Sequence, residues 1–308
     1  MTTPDTAFAL PASMRVFERG WLSSNNILFL GRDDTALVDS GYLSHAQQTL
    51  ALVQHALQGR PLDLLINTHL HSDHCGGNAL LQRHYACRTL VPVQEASAVA
   101  DWDEDRLPYA STGQQCERFR HDGCIAHGDV LRLGDLTWEV LSAPGHDPHS
   151  MILYCPGQAL LISADALWEN GFGVIFPELE GESGFAEQAA ILQTIRELDV
   201  RLVIPGHGAP FTDVQGALAR AQSRVDFLAA DTRRNARNAI KVLLAFLLLE
   251  QRAISFDAVR QQLRQSRLMQ AAARQLDLPE HDLIEQIAAE LVRAGAARLE
   301  SGVLISQR

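Results

Sequence analysis

Four residues within a six-residue stretch, His69, His71, Asp73 and His74, bring three imidazoles and a carboxylate into a small volume. Imidazole nitrogen and carboxylate oxygen are the usual ligands of zinc and related ions. His69 and His71 are two apart, so on an extended backbone their side chains project to the same side. Asp73 and His74 begin the helix expected next, so a strand end and a helix start can surround one pocket. Gly76-Gly77 lets the backbone turn and pack closely there. The chemistry open to such a set is that of a bound divalent ion.

These residues need a scaffold that ends strands beside them. Residues 27–31 and 35–39 are short apolar runs across Arg32-Asp33-Asp34, a hairpin signature. Residues 44–57 have helical spacing, and 62–67 form a continuous apolar run that reads as a buried strand. A helix is expected to about residue 83, then a strand at 89–93. Residues 101–128 read as a long polar surface loop. Strands return at 130–133, 137–141, 151–155 and 159–163, followed by a helix at 185–198 and a strand at 201–204. Alternating β and α elements with several hairpins predict a layered α/β structure. After Pro210 the pattern turns helical, at 214–228, 235–251, 255–264 and 281–294, with no strand until a hairpin at 298–300 and 303–306. Helices closed by a hairpin resemble a winged helix. The expected division is a catalytic domain at 1–230 and a C-terminal helical, winged-helix-like domain at 231–308.

His69-x-His71-x-Asp73-His74 resembles the signature of the metallo-β-lactamase superfamily. Pro144-Gly145-His146 follows a strand where that family has its third histidine, and Ser163-Ala164-Asp165 falls where it has a bridging aspartate. Pro205-Gly206-His207-Gly208 matches the final histidine segment, and Val38-Asp39-Ser40-Gly41 the early strand and turn. The matches run in order over roughly residues 25 to 215. The resemblance implies an α/β fold, a four-layer αββα sandwich, with metals at one edge of its sheets. Carried over by position, it puts His69, His71 and His146 on a first metal and Asp73, His74 and His207 on a second, with Asp165 bridging. It implies two zinc ions, with iron or manganese as alternatives and a single-metal centre as the other reading. It also implies a bridging hydroxide at neutral pH, with Asp73 as the catalytic group that orients the nucleophile or moves its proton.

Other residues carry two readings each. Asp39 is a turn residue in Asp-Ser-Gly or an acceptor that orients a metal-binding histidine. His149 reads as a pocket wall rather than a ligand, and Cys75 as a small packed side chain. His45, His55, His84, His121, His127 and His281 lack ligand spacing and are expected to be exposed. The glycine-rich apolar stretch at 168–177 is expected to line the substrate mouth. Arg233, Arg234 and Arg237 read as a solvated helix face, with an anion grip as the alternative.

Composition narrows the class. Of 308 residues, 46% are hydrophobic and 20% charged, enough for a sizeable core. No apolar run approaches the roughly 18 residues of a membrane span, so no membrane partner is expected. Five scattered cysteines and no evident leader in residues 1–15 point to the cytoplasm. The formal charge of −11 opposes wholesale nucleic-acid coating. From Ala217 onward, however, 14 Lys+Arg face 10 Asp+Glu, a net +4, leaving −15 on the rest.

Three activities follow from the resemblance. The leading one is hydrolysis of a small ester, thioester or lactone, as in the glyoxalase II and lactonase branches. The second is RNA phosphodiester cleavage, suggested by the basic helical C-terminal piece. That piece otherwise covers the site or forms a homodimer contact. The third is persulfide oxidation at one iron held by His69, His146 and Asp165.

Overall fold

Side-chain alternation with a period of two sorts each strand's apolar residues onto two faces, and two sheets result. The first runs in the order β1 (Met14–Phe17), β2 (Asn26–Leu30), β3 (Thr35–Val38), β4 (Leu64–Ile66), β5 (Arg88–Pro92), β6 (Gly123–Ile125). Its first three strands are antiparallel, and β3 to β6 are parallel. The second sheet contains β7 (Val130–Leu133), β8 (Leu136–Ser142), β9 (Met151–Cys155), β10 (Leu160–Ala164) and β11 (Leu202–Pro205), ordered from β11 at one edge to β7 at the other. Only its β10–β11 pair is parallel. This computed structural model describes residues 9–264 and 266–307. Residues 1–8 of the stretch read for a leader lie outside the described residues.

Ile27, Phe29, Val38 and Ile66 of the first sheet meet Trp138, Val140, Leu153 and Ile162 of the second in one core. Phe29 and Leu37 are fully buried, and each such side chain contributes about 1.5–3 kcal/mol. Phe29 meets Trp138 edge-on, with centroids 5.4 Å apart. The alternate residues Leu28, Leu37 and Leu65 face outward against a helical layer. The helices that follow in the chain are α1 (Ala46–Leu57), α2 (Ser72–Cys75), α3 (Asn78–Tyr85), α4 (Ala96–Asp101) and α5 (Tyr109–Thr112). Then come α6 (Pro177–Glu180), α7 (Phe185–Glu197) and α8 (Val214–Ala229). Leu50, Val53 and Leu57 of α1 and Leu81 of α3 cover the first sheet. Ile191, Leu192 and Ile195 of α7 and Leu218 of α8 cover Ile152, Leu161 and Val203 of the second. The layers are therefore αββα, as expected.

The chain ends in a helical piece with its own core: α9 (Thr232–Gln251), β12 (Ala253–Ser255), α10 (Phe256–Leu263), α11 (Arg267–Leu276), α12 (Glu280–Arg293), β13 (Ala297–Glu300) and β14 (Val303–Ser306). Its strands pair in the order β12-β14-β13, all antiparallel. Ile240, Leu244 and Leu247 of α9 pack with Met269, Ile284, Ile287 and Leu304, so α9 is a core helix of this piece.

Four sequence readings need correction. The segment at 101–128 is not wholly irregular, because it holds α5 and the edge strand β6. β6 has three residues with only Ile125 buried, too few to show alternation. A strand, β12, does precede the terminal hairpin, and it too is only three residues long. Helix α11 is missing from the helices expected from sequence, although Leu268, Met269, Ala272, Ala273 and Leu276 fall on one face at helical spacing. His45 and His121 are half-buried rather than exposed, while His55, His84, His127 and His281 are exposed.

Candidate metal centre

Strand ends converge on one spot. Asp39 follows β3, His146 lies beyond β8, Asp165 follows β10 and His207 lies beyond β11. β4 ends at Ile66, so His69 and His71 sit on the connection to α2 and not in the strand itself. Their common direction comes from that connection rather than from strand alternation. Their rings meet edge-on with centroids 4.7 Å apart. Asp73 and His74 lie on α2, as expected.

Three groups bring ligand atoms within 4.8 Å of one another: His69, His71 and His146; His69, His74 and Asp165; and Asp73, His74 and His207. Asp165 faces both ends of the cluster. Its Oδ1 lies 3.4 Å from His74 Nε2, and its Oδ2 lies 3.5 Å from His146 Nε2 and 3.9 Å from His207 Nε2. His207 Nε2 is 3.1 Å from Asp73 Oδ2. All seven residues marked in the sequence are thus brought together.

The imidazoles are fixed from behind. His74 Nδ1 donates to Asp39 Oδ2 at 2.8 Å. The same carboxylate accepts from Thr68 N at 2.9 Å and Thr68 Oγ1 at 2.8 Å. With its hydrogen committed to Asp39, the Thr68 hydroxyl can accept from His69 Nδ1 at 3.1 Å. His146 Nδ1 donates to the Val174 carbonyl. These three rings, of His69, His74 and His146, therefore have Nδ1 engaged and Nε2 directed into the cluster, the tautomer a metal ligand needs. Of the two readings of Asp39, the orienting one describes these contacts.

Electrostatics point the same way. Burial, reinforced by neighbouring His74 and His71, holds His69 well below the ordinary histidine pKa. Burial also lowers His71, to about 4. Burial opposes the charged form of His74 as well, but Asp39, Asp165 and Asp73 outweigh it and raise its pKa well above the ordinary value. Burial would raise Asp165, yet His207 and His74 hold it well below the carboxylate range. His69 and His71 are thereby held neutral, with lone pairs free for a cation, beside the carboxylates of Asp73 and Asp165.

Metal ions fit this donor set. His69 Nε2, His74 Nε2 and His146 Nε2 are buried with no hydrogen-bond partner, a costly state for polar atoms that a coordinated cation would relieve.

Two cavities open from the cluster. A polar one of about 270 Å3 runs from His71 and His146 past Glu95, Asp147 and His149 to Arg106 and Arg267. An apolar one of about 150 Å3 touches His71, Asp73, His146, Asp165 and His207. Its walls include Trp21, Trp168, Phe172, Phe176, Val242 and Phe246. The stretch at 168–177 lines the mouth and His149 forms a wall, as read from sequence. Trp21, Val242 and Phe246 were not foreseen. Trp21 stacks on His207 at 5.5 Å with its plane inclined by 7°. Asn25, four residues on, ties this segment to the loop that carries His207 by donating to the carbonyls of Pro205 and Gly208 at 2.9 and 2.7 Å. Val242 and Phe246 come from α9, which Tyr42 pins by donating to Glu250 at 2.9 Å. Asn235 adds a bond to the Ile175 carbonyl at 2.8 Å. The C-terminal piece therefore roofs the site.

The three arginines of α9 are engaged elsewhere. Arg233 donates to the Leu276 carbonyl, Arg234 lies over Phe227, and Arg237 pairs with Glu290 at 2.7 Å. Cys75 is buried beside Tyr109 and all five cysteines are free.

An αββα sandwich with histidines and aspartates gathered at its strand ends defines a class of metal-binding protein. The metallo-beta-lactamase superfamily model matches residues 19–207, and the chain belongs to that superfamily. A hydroxyacylglutathione hydrolase of Bradyrhizobium sp. (strain ORS 278) is 34% identical over 114 residues, which cover 37% of each protein. One from Rhodopseudomonas palustris (strain BisB5) is 30% identical over 163 residues, 52% of this chain and 54% of that protein. The chain thus matches between about a third and a half of these relatives' length. A metallo-beta-lactamase family protein from Thermus thermophilus superposes with a TM-score of 0.57 at 19% identity, covering 97% of this chain and all of that one. A beta-lactamase domain protein from Burkholderia ambifaria gives 0.58 at 20% identity, covering 97% and 94%. These two share the fold over nearly the whole chain. Among the described residues no helix is long and apolar enough to cross a membrane.

Proposed function

We propose that the protein is a metal-dependent hydrolase of small acyl substrates, with thioesters first and esters and lactones next. The observation that carries this is a cluster of buried histidines and aspartates, several with unpartnered ring nitrogens, that borders an apolar cavity through His71, Asp73, His146, Asp165 and His207. His69, His71 and His146 would hold one cation, Asp73, His74 and His207 a second, and Asp165 both, with zinc the first candidate at each. When bound, the cations supply a hydroxide at neutral pH and polarise the scissile carbonyl. The chain itself contributes the rest. Asp39 and Thr68 fix the ring orientations, and Asp73 is placed to orient the nucleophile or hold its proton. Trp21, Trp168 and Phe246 exclude water and seat an acyl chain. The domain division proposed is 1–230 and 231–308, the second part acting as the roof of the site. The names of the matched relatives favour a thioester.

An RNA phosphodiesterase fits less well. Of the cations of α9, Arg234, Arg237 and Lys241 are matched within the chain by Asp231 and Glu290, and Arg233 donates to the Leu276 carbonyl. Iron-dependent persulfide chemistry would leave Asp73, His74 and His207 without a role.

The test is elemental analysis of untagged protein never exposed to chelator, followed by assays on S-lactoylglutathione, N-acetylcysteamine thioesters, a lactone and bis(p-nitrophenyl) phosphate. Near two zinc ions per chain with thioester turnover lost in His69→Ala is the expected result. One iron and no zinc, or turnover of the phosphodiester alone, would overturn it.

A further inference from the structure

The apolar cavity holds one residue that its other walls do not prepare for. Arg224, on α8, lines it together with Trp168, Phe172 and the metal-centre residues. Its guanidinium lies 5.5 Å from the centre of the Phe172 ring. Among the described residues it forms no ion pair, and its Nε is buried without a hydrogen-bond partner. Burial lowers its pKa, with no carboxylate opposing that effect. One turn earlier, Arg220 shows what a structural arginine on this helix does: it pairs with Asp213 at 3.1 Å and donates to the Glu169 carbonyl at 2.9 Å. The loop makes space for Arg224. Gly171 has φ +131°, and a Cβ there would stand 3.3 Å from Arg224 Cδ and 3.4 Å from Nη1. A half-buried guanidinium without a counter-charge is costly, and its planar fork suits a carboxylate.

We propose that Arg224 is a specificity residue that receives a carboxylate at the end of the substrate limb lying in the apolar cavity. The substrate is then an acyl compound with an apolar spacer and a terminal monoanion. Arg224 is the only Lys or Arg among the described residues lining that cavity, so one negative charge is matched there and a dianionic phosphate is not. The proposal rests on the acyl-hydrolase reading above for its scissile bond, but not for its binding site.

Because Trp21 and Trp168 line the same cavity, binding can be followed by tryptophan fluorescence independently of turnover. The probes are N-acetylcysteamine thioesters of succinate, adipate and suberate, each beside the uncharged acyl thioester of equal length. They are titrated into metal-loaded protein at low temperature and assayed in parallel for hydrolysis. The best carboxylate-ended probe should exceed its neutral partner by about tenfold to a hundredfold in Kd or kcat/KM, the range of a charge-assisted bond. Arg224→Met should reduce that preference to within about twofold, and Arg224→Lys should keep part of it. Melting temperature and metal content are checked in each variant. No preference for any carboxylate-ended probe in the native protein refutes the proposal. So does an undiminished preference in Arg224→Met, which would put the carboxylate on the metals. If no thioester turns over but the fluorescence preference appears and depends on Arg224, the acyl-hydrolase reading fails and the anion site stands.

Discussion

Asp39→Asn isolates the electrostatics of the metal centre from its shape. Asp39 is 2% exposed and sits at φ 58°, a left-handed conformation that asparagine tolerates well. The substitution therefore adds no backbone strain of its own. The Oδ1 bond from Thr68 N can survive. At the Oδ2 position, however, a carboxylate that accepts from Thr68 Oγ1 and His74 Nδ1 becomes an amide that donates. His74 Nδ1 must then accept, which moves its proton to Nε2, the atom aimed at Asp165. A metal ion must displace that proton before it can bind. Loss of such an orienting partner costs about 10- to 100-fold in metal affinity, or about 1.4–2.7 kcal/mol. Zinc titration against a chromophoric chelator should show the loss in the site that contains His74, with the His69, His71 and His146 site less affected. Wild-type affinity for both equivalents in Asp39→Asn would refute the tautomer argument.

On the proposed two-zinc centre, His207→Ala should reduce zinc to about one equivalent while leaving the fold intact, read by elemental analysis and circular dichroism; an unchanged zinc content would remove His207 from the ligand set. A Cβ at Gly173 would lie 2.5 Å from His146 Nδ1, so Gly173→Ala should turn that ring off the Val174 carbonyl and weaken metal binding by about tenfold or more, measured in the same titration. Val242 is 39% exposed yet lines the apolar cavity. Val242→Glu should therefore change unfolding free energy by no more than about 0.5 kcal/mol while lowering kcat/KM for a hexanoyl thioester, and unchanged kinetics would place the acyl chain elsewhere. Chelation should lower the melting temperature, and zinc at 100 times its Kd should restore about 2.7 kcal/mol, visible by calorimetry.

The candidate ligand set was legible because chemistry and geometry coincide locally. His69, His71, Asp73 and His74 are neighbours in sequence, and His146, Asp165 and His207 each follow an apolar run whose end marks a strand end. The layered fold was legible for the same reason, since β2, β3, β9 and β10 are short apolar runs bounded by turns. Asp39 could be suspected but not decided, because Asp-Ser-Gly is also good turn chemistry. Its bonds to Thr68 and His74, 29 and 35 residues away, come from the parallel pairing of β3 with β4. Of the apolar cavity beyond the metal centre, only the stretch at 168–177 was legible. Trp21, Arg224 and Phe246 are singletons from the N-terminal turn, α8 and α9, and no periodicity links them. What distinguishes Arg224 from Arg220 is only which carboxylates and carbonyls surround it. Residue type and spacing thus determined what could bind a metal. Long-range packing decided what surrounds the metal site, because neighbours brought together by folding leave no pattern along the chain.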